Sequence, residues 1–201
     1  MFNHPNNPTE FLVKNLNLGY WNALVLYYTT VLIIAVFLTI IFVKKKKISL
    51  KIIGLSIPIL LMSIAFGLNP IYDNDTTIGG KITQEETYQE LFNKNSETII
   101  LFADPNCSHC EDLIRRLNIM ESKIKDNNIL LILNDLDSVE FNKFSSTISK
   151  KIKVKTISNE AFLNYTKGRF PMVLLKKNEK KIQQWYNSNI GIKTMDYFVN
   201  H

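Results

Sequence analysis

From Trp21 to Val43 the chain runs for twenty-three residues without a charge. As a helix rising about 1.5 Å per residue it would be roughly 34 Å long, enough to cross the hydrocarbon core of a bilayer. Its backbone hydrogen bonds close inside the helix, and the hydroxyls of Thr29, Thr30 and Thr39 can return to preceding carbonyls, so no polar group is stranded in lipid. Trp21 suits the interface. A cleavable signal peptide fits less well, because the polar stretch before Trp21 is long and lacks a basic start, and the apolar core is too long. A buried helix of a soluble domain also fits poorly: no other part of the chain is large enough to cover a surface that is apolar all round.

Lys44 to Lys47 separate this run from a second one, Ile48 to Leu68, broken only by Lys51, whose long stem can carry its ammonium back to the interface. Pro58 is expected to kink this second helix. A re-entrant or interfacial helix is the alternative to a full crossing here. Two crossings joined by a short basic turn make an N-terminal transmembrane helical hairpin over residues 21 to 68. Five lysines lie in or beside the turn, whereas Lys14 precedes the first span and Asp73 and Asp75 follow the second. That bias puts the turn in the cytoplasm and everything after Leu68 outside it. Residues 1 to 20 are then an extracytoplasmic tail, too polar and proline-rich at MFNHPNNPTE for a packed element and continuing as a short mixed or interfacial helix. His4 is a tail residue in this reading. Residues 69 to 83, with Pro70 and the pair Gly79 and Gly80, are expected to be a linker. The glycine pair lacks the strand, loop and helix of a phosphate-binding turn.

The net charge of +6 is unevenly spread: residues 1 to 83 carry seven Lys against three acidic residues, and residues 84 to 201 carry seventeen Lys plus Arg against fifteen. The outer part is nearly balanced, so nucleic acid is not an expected partner. Hydrophobic content of 46% argues against wholesale disorder, and two cysteines exclude a disulfide-dense scaffold or an all-cysteine zinc site.

Residues 84 to 201 alternate between the two periodicities. A short amphipathic helix over Gln84 to Asn93 precedes the buried strand Thr98 to Ala103, which ends at Asp104, Pro105 and Asn106. A helix over Cys107 to Lys123, a strand over Ile129 to Leu133 and a helix over Val139 to Ser149 follow. Lys150 to Ser158 reads as a half-exposed strand whose lysines form a solvated face. A helix over Asn159 to Tyr165 closes at Gly168. Strands Met172 to Lys176 and Ile182 to Tyr186 form a hairpin, with Trp185 and Tyr186 expected to pack it against a helix, and Lys193 to Asn200 is a final helix. The class is α/β.

The chemistry lies at Cys107-Ser108-His109-Cys110, directly after a strand and opening a helix. Free N–H groups and the positive helix end favour a thiolate there, making Cys107 the nucleophile. Cys110, one turn later, can attack a mixed disulfide on Cys107, so the two sulfurs exchange electrons in pairs. His109 is expected to tune the couple if its ring stays near Cys107; a surface position is the bland alternative. A structural disulfide is disfavoured because so short a loop constrains the unfolded chain little. A closed zinc site would want a fourth ligand, and the other histidines, His4 and His201, stand at the ends of the sequence, so no metal site is assigned. A copper carrier needs fewer ligands and stays open.

The segment FADPNCSHC, Phe102 to Cys110, together with GRFPMVLL, Gly168 to Leu175, resembles the thioredoxin-like fold, and the hairpin and final helix follow in the family's order. The resemblance covers about residues 84 to 201 and implies a central mixed sheet. It makes Pro171 a cis-proline that opens a strand and faces the CxxC helix, with Phe170 beside it contacting substrate. Asn106 and His109 stand where small cytosolic members have Trp and Pro, which is more similar to bacterial envelope members: thiol oxidases, isomerases and TlpA-like reductases. Leu101 and its neighbours supply no buried acid like the one that assists the second cysteine in cytosolic thioredoxins. Asp104 is then a turn residue or a proton acceptor through water. Arg169, two residues before Pro171, is as consistent with solubility as with substrate contact.

These readings combine into an enzyme tethered to the bacterial cytoplasmic membrane with its C-terminal domain outside, exchanging electrons with protein thiols or disulfides. The expected site is Cys107 and Cys110 for catalysis, His109 for redox tuning, and Phe170 and Pro171 for substrate binding. No flavin or nicotinamide cofactor is required. The spans contain no cysteine, so a separate membrane redox donor or acceptor is implied, with membrane lipid as the remaining contact. The direction of exchange stays open, as do a copper-binding chaperone and a redox-inert interaction domain.

Overall fold

The computed structural model describes residues 8–44, 48–95, 97–124, 128–135, 141, 144–178 and 181–200. His4, Lys45 to Lys47, His201 and, of the helix expected over Val139 to Ser149, Val139, Glu140, Asn142 and Lys143 lie outside these residues. The chain divides into two compact units, Met1–Tyr72 and Asp73–His201.

The first unit holds three helices: α1 (Pro8–Leu16), α2 (Tyr20–Val43) and α3 (Ile48–Leu68). Helix α1 starts inside the stretch expected to be unpacked. Proline tolerates a first helical turn, where its missing N–H has no partner to lose, and Thr9 is buried where its hydroxyl accepts from Asn69 Nδ2. Helices α2 and α3 run antiparallel. Tyr28 Oη donates to the Asn69 carbonyl (2.6 Å) at one end, and Thr39 Oγ1 lies 3.1 Å from the Gly54 carbonyl towards the other. The backbones approach closely at Gly54, where a Cβ would sit 2.8 Å from Phe42 Cβ. Thr29, Thr30 and Thr39 return their hydroxyls to carbonyls of α2 as expected. Both α2 and α3 are long and apolar enough to cross a membrane by length and composition. Pro58 lies within α3, which continues past it to Leu68.

The second unit is built on one six-stranded mixed sheet. Its elements are β1 (Lys81–Thr83), α4 (Glu86–Asn93), β2 (Ile99–Ala103), α5 (Ser108–Ile119), β3 (Ile129–Asn134), β4 (Ile152–Ile157), α6 (Asn159–Thr166), β5 (Met172–Asn178), β6 (Lys181–Tyr186) and α7 (Ile192–Val199). The strand order is β1-β6-β5-β2-β3-β4. β2, β3 and β4 are parallel, and β5 enters antiparallel to β2 with Met172 opposite Phe102. All five residues of β2 are buried, as a continuous apolar strand covered on both faces requires. On one face Ile100 and Phe102 join Tyr88, Leu91 and Phe92 of α4 and Phe162 of α6. Trp185 points to the other face, where its ring meets Phe198 of α7 edge-on at 5.0 Å. Tyr186, one residue on, faces the α4 side instead, against Gln184 (2.9 Å), because successive strand residues alternate faces.

Residues 69 to 83 carry regular structure where a linker was expected. Strand β1 pairs antiparallel with β6, and Asp75, 4% exposed, accepts from the Ile192 N–H at 3.0 Å, the start of α7. Ile78 presents its carbonyl to Trp185 Nε1 at 2.7 Å and to Thr194 Oγ1 at 3.0 Å. Gly80 lies flat on the indole: its φ is +93°, and a Cβ there would fall 2.5 Å from Trp185 Cε2. Two further details differ from expectation. The left-handed C-cap of α6 is Lys167 (φ 52°), with Gly168 following at φ 71°. Lys153 of β4 is no mere solvated lysine, since its Nζ lies 2.6 Å from Oε1 of the buried Glu97.

Replacing Asp75 by Ala leaves the first N–H of α7 without its acceptor in a buried place, so Asp75→Ala should lower stability by about 1–2 kcal/mol. Denaturant unfolding of the full chain in detergent measures the loss, and Asp75→Asn, which keeps an acceptor oxygen, should recover most of it.

Candidate active site

The end of β2 and the start of β5 fix the two halves of the site. Since Met172 pairs with Phe102, Pro171 stands beside the point where the chain leaves β2 for Asp104 to Cys107. The turn is local and well bonded: Asp104 Oδ1 accepts from the Asn106 N–H (2.8 Å), and the Asp104 carbonyl accepts from the Cys107 N–H (3.0 Å). Asp104 is half-buried and serves as the turn residue.

Cys107 is the N-cap of α5. It has extended backbone angles, its carbonyl accepts from the N–H groups of Cys110 and Glu111 at 3.0 Å, and its Sγ lies 3.4 Å from the Cys110 N. A sulfur in that position takes the place of the side-chain oxygen that usually satisfies the first turn. Cys107 is half-buried and Cys110 fully buried, both as free thiols. Cys110 Sγ accepts from the Asp104 N–H at 3.4 Å. Burial pushes the Cys110 thiol well above the ordinary thiol range, and its hydrogen bond to Cys107 adds to that, while the Asp104 N–H opposes it. Cys110 is therefore a neutral thiol at physiological pH. Two thiols one helical turn apart can close to a disulfide with release of two electrons and two protons.

His109 is exposed on α5. Asp112 is tied along the helix to Arg115 (2.6 Å) and Arg116 (3.0 Å). The Phe170–Pro171 peptide bond is cis, Pro171 is buried, and Phe170 is half-buried with its ring 5.6 Å from that of Phe162. So Phe170 presents only part of itself to solvent.

Behind Pro171 lies a polar network that sequence periodicity did not disclose. Buried Gln184 directs Nε2 at Tyr88 Oη (3.1 Å), Met172 Sδ (3.1 Å) and Tyr186 Oη (2.9 Å). Tyr88 in turn donates to the Tyr165 carbonyl at 2.9 Å, and burial pushes its hydroxyl up to about 12, so it stays a donor. Gln184 has the polar side chain of an outward-facing strand residue, and only the three-dimensional pairing reveals its partners. Arg169, exposed, places its guanidinium over the Tyr186 ring at 5.6 Å. Among the described residues no group of three or more His, Cys, Asp and Glu side chains is placed to hold a metal ion.

A parallel pair bridged by the cysteine-bearing helix, then a helix, an antiparallel hairpin entered at a cis-proline, and a closing helix together define the second unit. The fold is thioredoxin-like. It adds β4 beyond β3 at one edge and β1 beyond β6 at the other. No protein-family model matches the chain, and no curated protein does. Among solved structures the chain is similar to a thioredoxin-like protein from Bacteroides caccae ATCC 43185, at 13% identity and a TM-score of 0.35, over 100% of this chain and 86% of that one.

The two sulfurs should label at very different pH. Alkylation of the reduced chain near neutral pH should modify Cys107 alone. In Cys107→Ser, labelling of Cys110 should rise only on the alkaline side of the ordinary thiol range, because only the thiolate reacts and burial withholds it. Mass spectrometry of the alkylated peptides reads both outcomes.

Proposed function

We propose that this chain is a membrane-tethered thiol-disulfide oxidoreductase of the bacterial envelope, TlpA-like or disulfide-oxidase-like in its organisation. The observation that carries the reading is the asymmetric pair: a half-exposed Cys107 capping a helix, with Cys110 buried one turn behind it, at the sheet end where cis-Pro171 opens β5. The tether rests on the two long apolar helices. The lysine-rich turn between them favours a cytoplasmic position for that turn and an outside one for the second unit.

In the reducing direction Cys107 Sγ, as its thiolate, attacks one sulfur of a client disulfide and displaces the other as a thiolate. Cys110 Sγ, once deprotonated, attacks Cys107 Sγ and breaks the mixed bond, releasing the second client thiolate. The chain is left with a Cys107–Cys110 disulfide. Two electrons pass to the client, and the two protons lost from the cysteines end on the two client thiols. The oxidising direction is the same sequence reversed. Cys110 is kept neutral by burial until the mixed disulfide forms, which leaves Cys107 to make the first attack. Pro171 has no N–H and so leaves room for an extended client segment beside it, next to Phe170. His109, exposed on α5 two residues after Cys107, is the residue proposed to tune the couple. A membrane-bound donor or acceptor resets the pair.

In the full chain, Cys110→Ser should accumulate a mixed disulfide with client protein that is visible on a non-reducing gel and lost on reduction, while Cys107→Ser should form none. A glutathione titration of the full chain reads the direction: a potential near about −270 mV marks a reductase and one near about −120 mV an oxidase. Absence of any dithiol exchange would overturn the reading.

A further inference from the structure

Arg169 is an exposed cation held in place. Its guanidinium sits over Tyr186 at 5.6 Å, and Tyr186 is fixed from beneath by Gln184, which Tyr88 and Met172 hold in turn. Its backbone N–H is bonded to the Thr166 carbonyl at 3.0 Å, so the turn that carries it is also anchored. Among the described residues no carboxylate pairs with it. A guanidinium held over an aromatic ring leaves N–H donors for an anion, and it loses less further freedom when it binds one.

We infer that Arg169 reads a carboxylate on the client polypeptide, a specificity contact that rests on the oxidoreductase reading above. The sheet gives the spacing. Cys107 follows β2, and Tyr186 ends β6, two strands across through β5, with Met172 opposite Tyr186. Neighbouring strands lie about 4.8 Å apart, so along the sheet the Tyr186 backbone stands on the order of 10 Å from the β2 end, its ring on the α4 face, and an extended peptide needs about three residues or more to reach the cation over it.

The test uses the reduced full chain in detergent and symmetric disulfides of a short single-cysteine peptide, in which the residue three positions from the cysteine, on either side in turn, is Glu, Gln or Lys. Each turnover consumes one peptide disulfide and the Cys107/Cys110 dithiol and yields two peptide thiols and the chain disulfide, counted by chromatography after acid quench. For one of the two placements the second-order rate constant should rank Glu over Gln over Lys. The Glu to Gln ratio should be about threefold, the size of an exposed ion pair, and should shrink in high salt. In Arg169→Gln that ratio should fall to one, and Arg169→Lys should restore part of it. Equal rates for Glu and Gln in both placements, or a preference that survives Arg169→Gln, overturn the inference alone. If the wild-type chain reduces none of the peptides, the oxidoreductase reading fails and the inference goes with it.

Discussion

Everything at the site depends on the pairing of β2. A strand buried along its whole length can be satisfied only by neighbours on both sides, and the neighbours it takes are β3 and β5. The parallel partner forces the chain to leave β2, cross over and return, which puts α5 at the C-terminal end of the strand and Cys107 at the start of α5. The antiparallel partner brings Met172 opposite Phe102 and so delivers Pro171 to that same end. A one-residue slip between β2 and β5 would turn Phe102 and Met172 away from the cluster that holds Tyr88 and Phe162. The apolar burial that stabilises the domain therefore also sets the register on which the geometry of the site rests.

The difference between the two sulfurs follows from helix geometry. Position Ncap lies at the mouth of the helix, while three residues later the side chain points back under the first turn towards the core. Cys110 there is covered by protein, receives the Asp104 N–H and stays protonated. Identical side chains acquire distinct chemistry because one belongs to the cap and the other to the buried face. The Asp104 N–H also gives a nascent Cys110 thiolate a donor without placing a charged group in the core.

The parts of this arrangement that were legible in the sequence are those written as local patterns. The two long apolar helices, β2, α5 and the β5–β6 hairpin each announce themselves through hydrophobic period or length, and the cysteine pair through its spacing after a strand. Gly80 shows why the rest was not legible. A glycine pair between polar residues reads as a flexible joint, yet Gly80 is needed because an indole from a strand a hundred residues away occupies the space of its Cβ. Strand β1 has three residues, too few for a period to show, and Asp75 caps a helix far along the chain. Lys167 takes a left-handed cap that glycine would have been expected to fill, and Gln184 is buried where its polarity suggests a surface. Each of these is a long-range contact made by a residue whose local propensity points elsewhere.

The chain has two cysteines, and the apolar helices contain neither. Under the proposed oxidoreductase reading, electrons taken in through Cys107 leave through Cys107, since Cys110 is buried and the sequence has no third cysteine to hand them on. Under the oxidoreductase reading, client and resetting partner compete for one small surface around the first sulfur, bounded by cis-Pro171 and Phe170. The two must differ in what they do beyond the reacting atoms, because the reacting atoms are common to both. The proposed membrane tether would solve half of that problem by raising the effective concentration of a partner confined to the same membrane, without any new contact. Selection among soluble clients then falls to side chains at the edge of the site, where a charge contributes discrimination at little cost to the exchange itself.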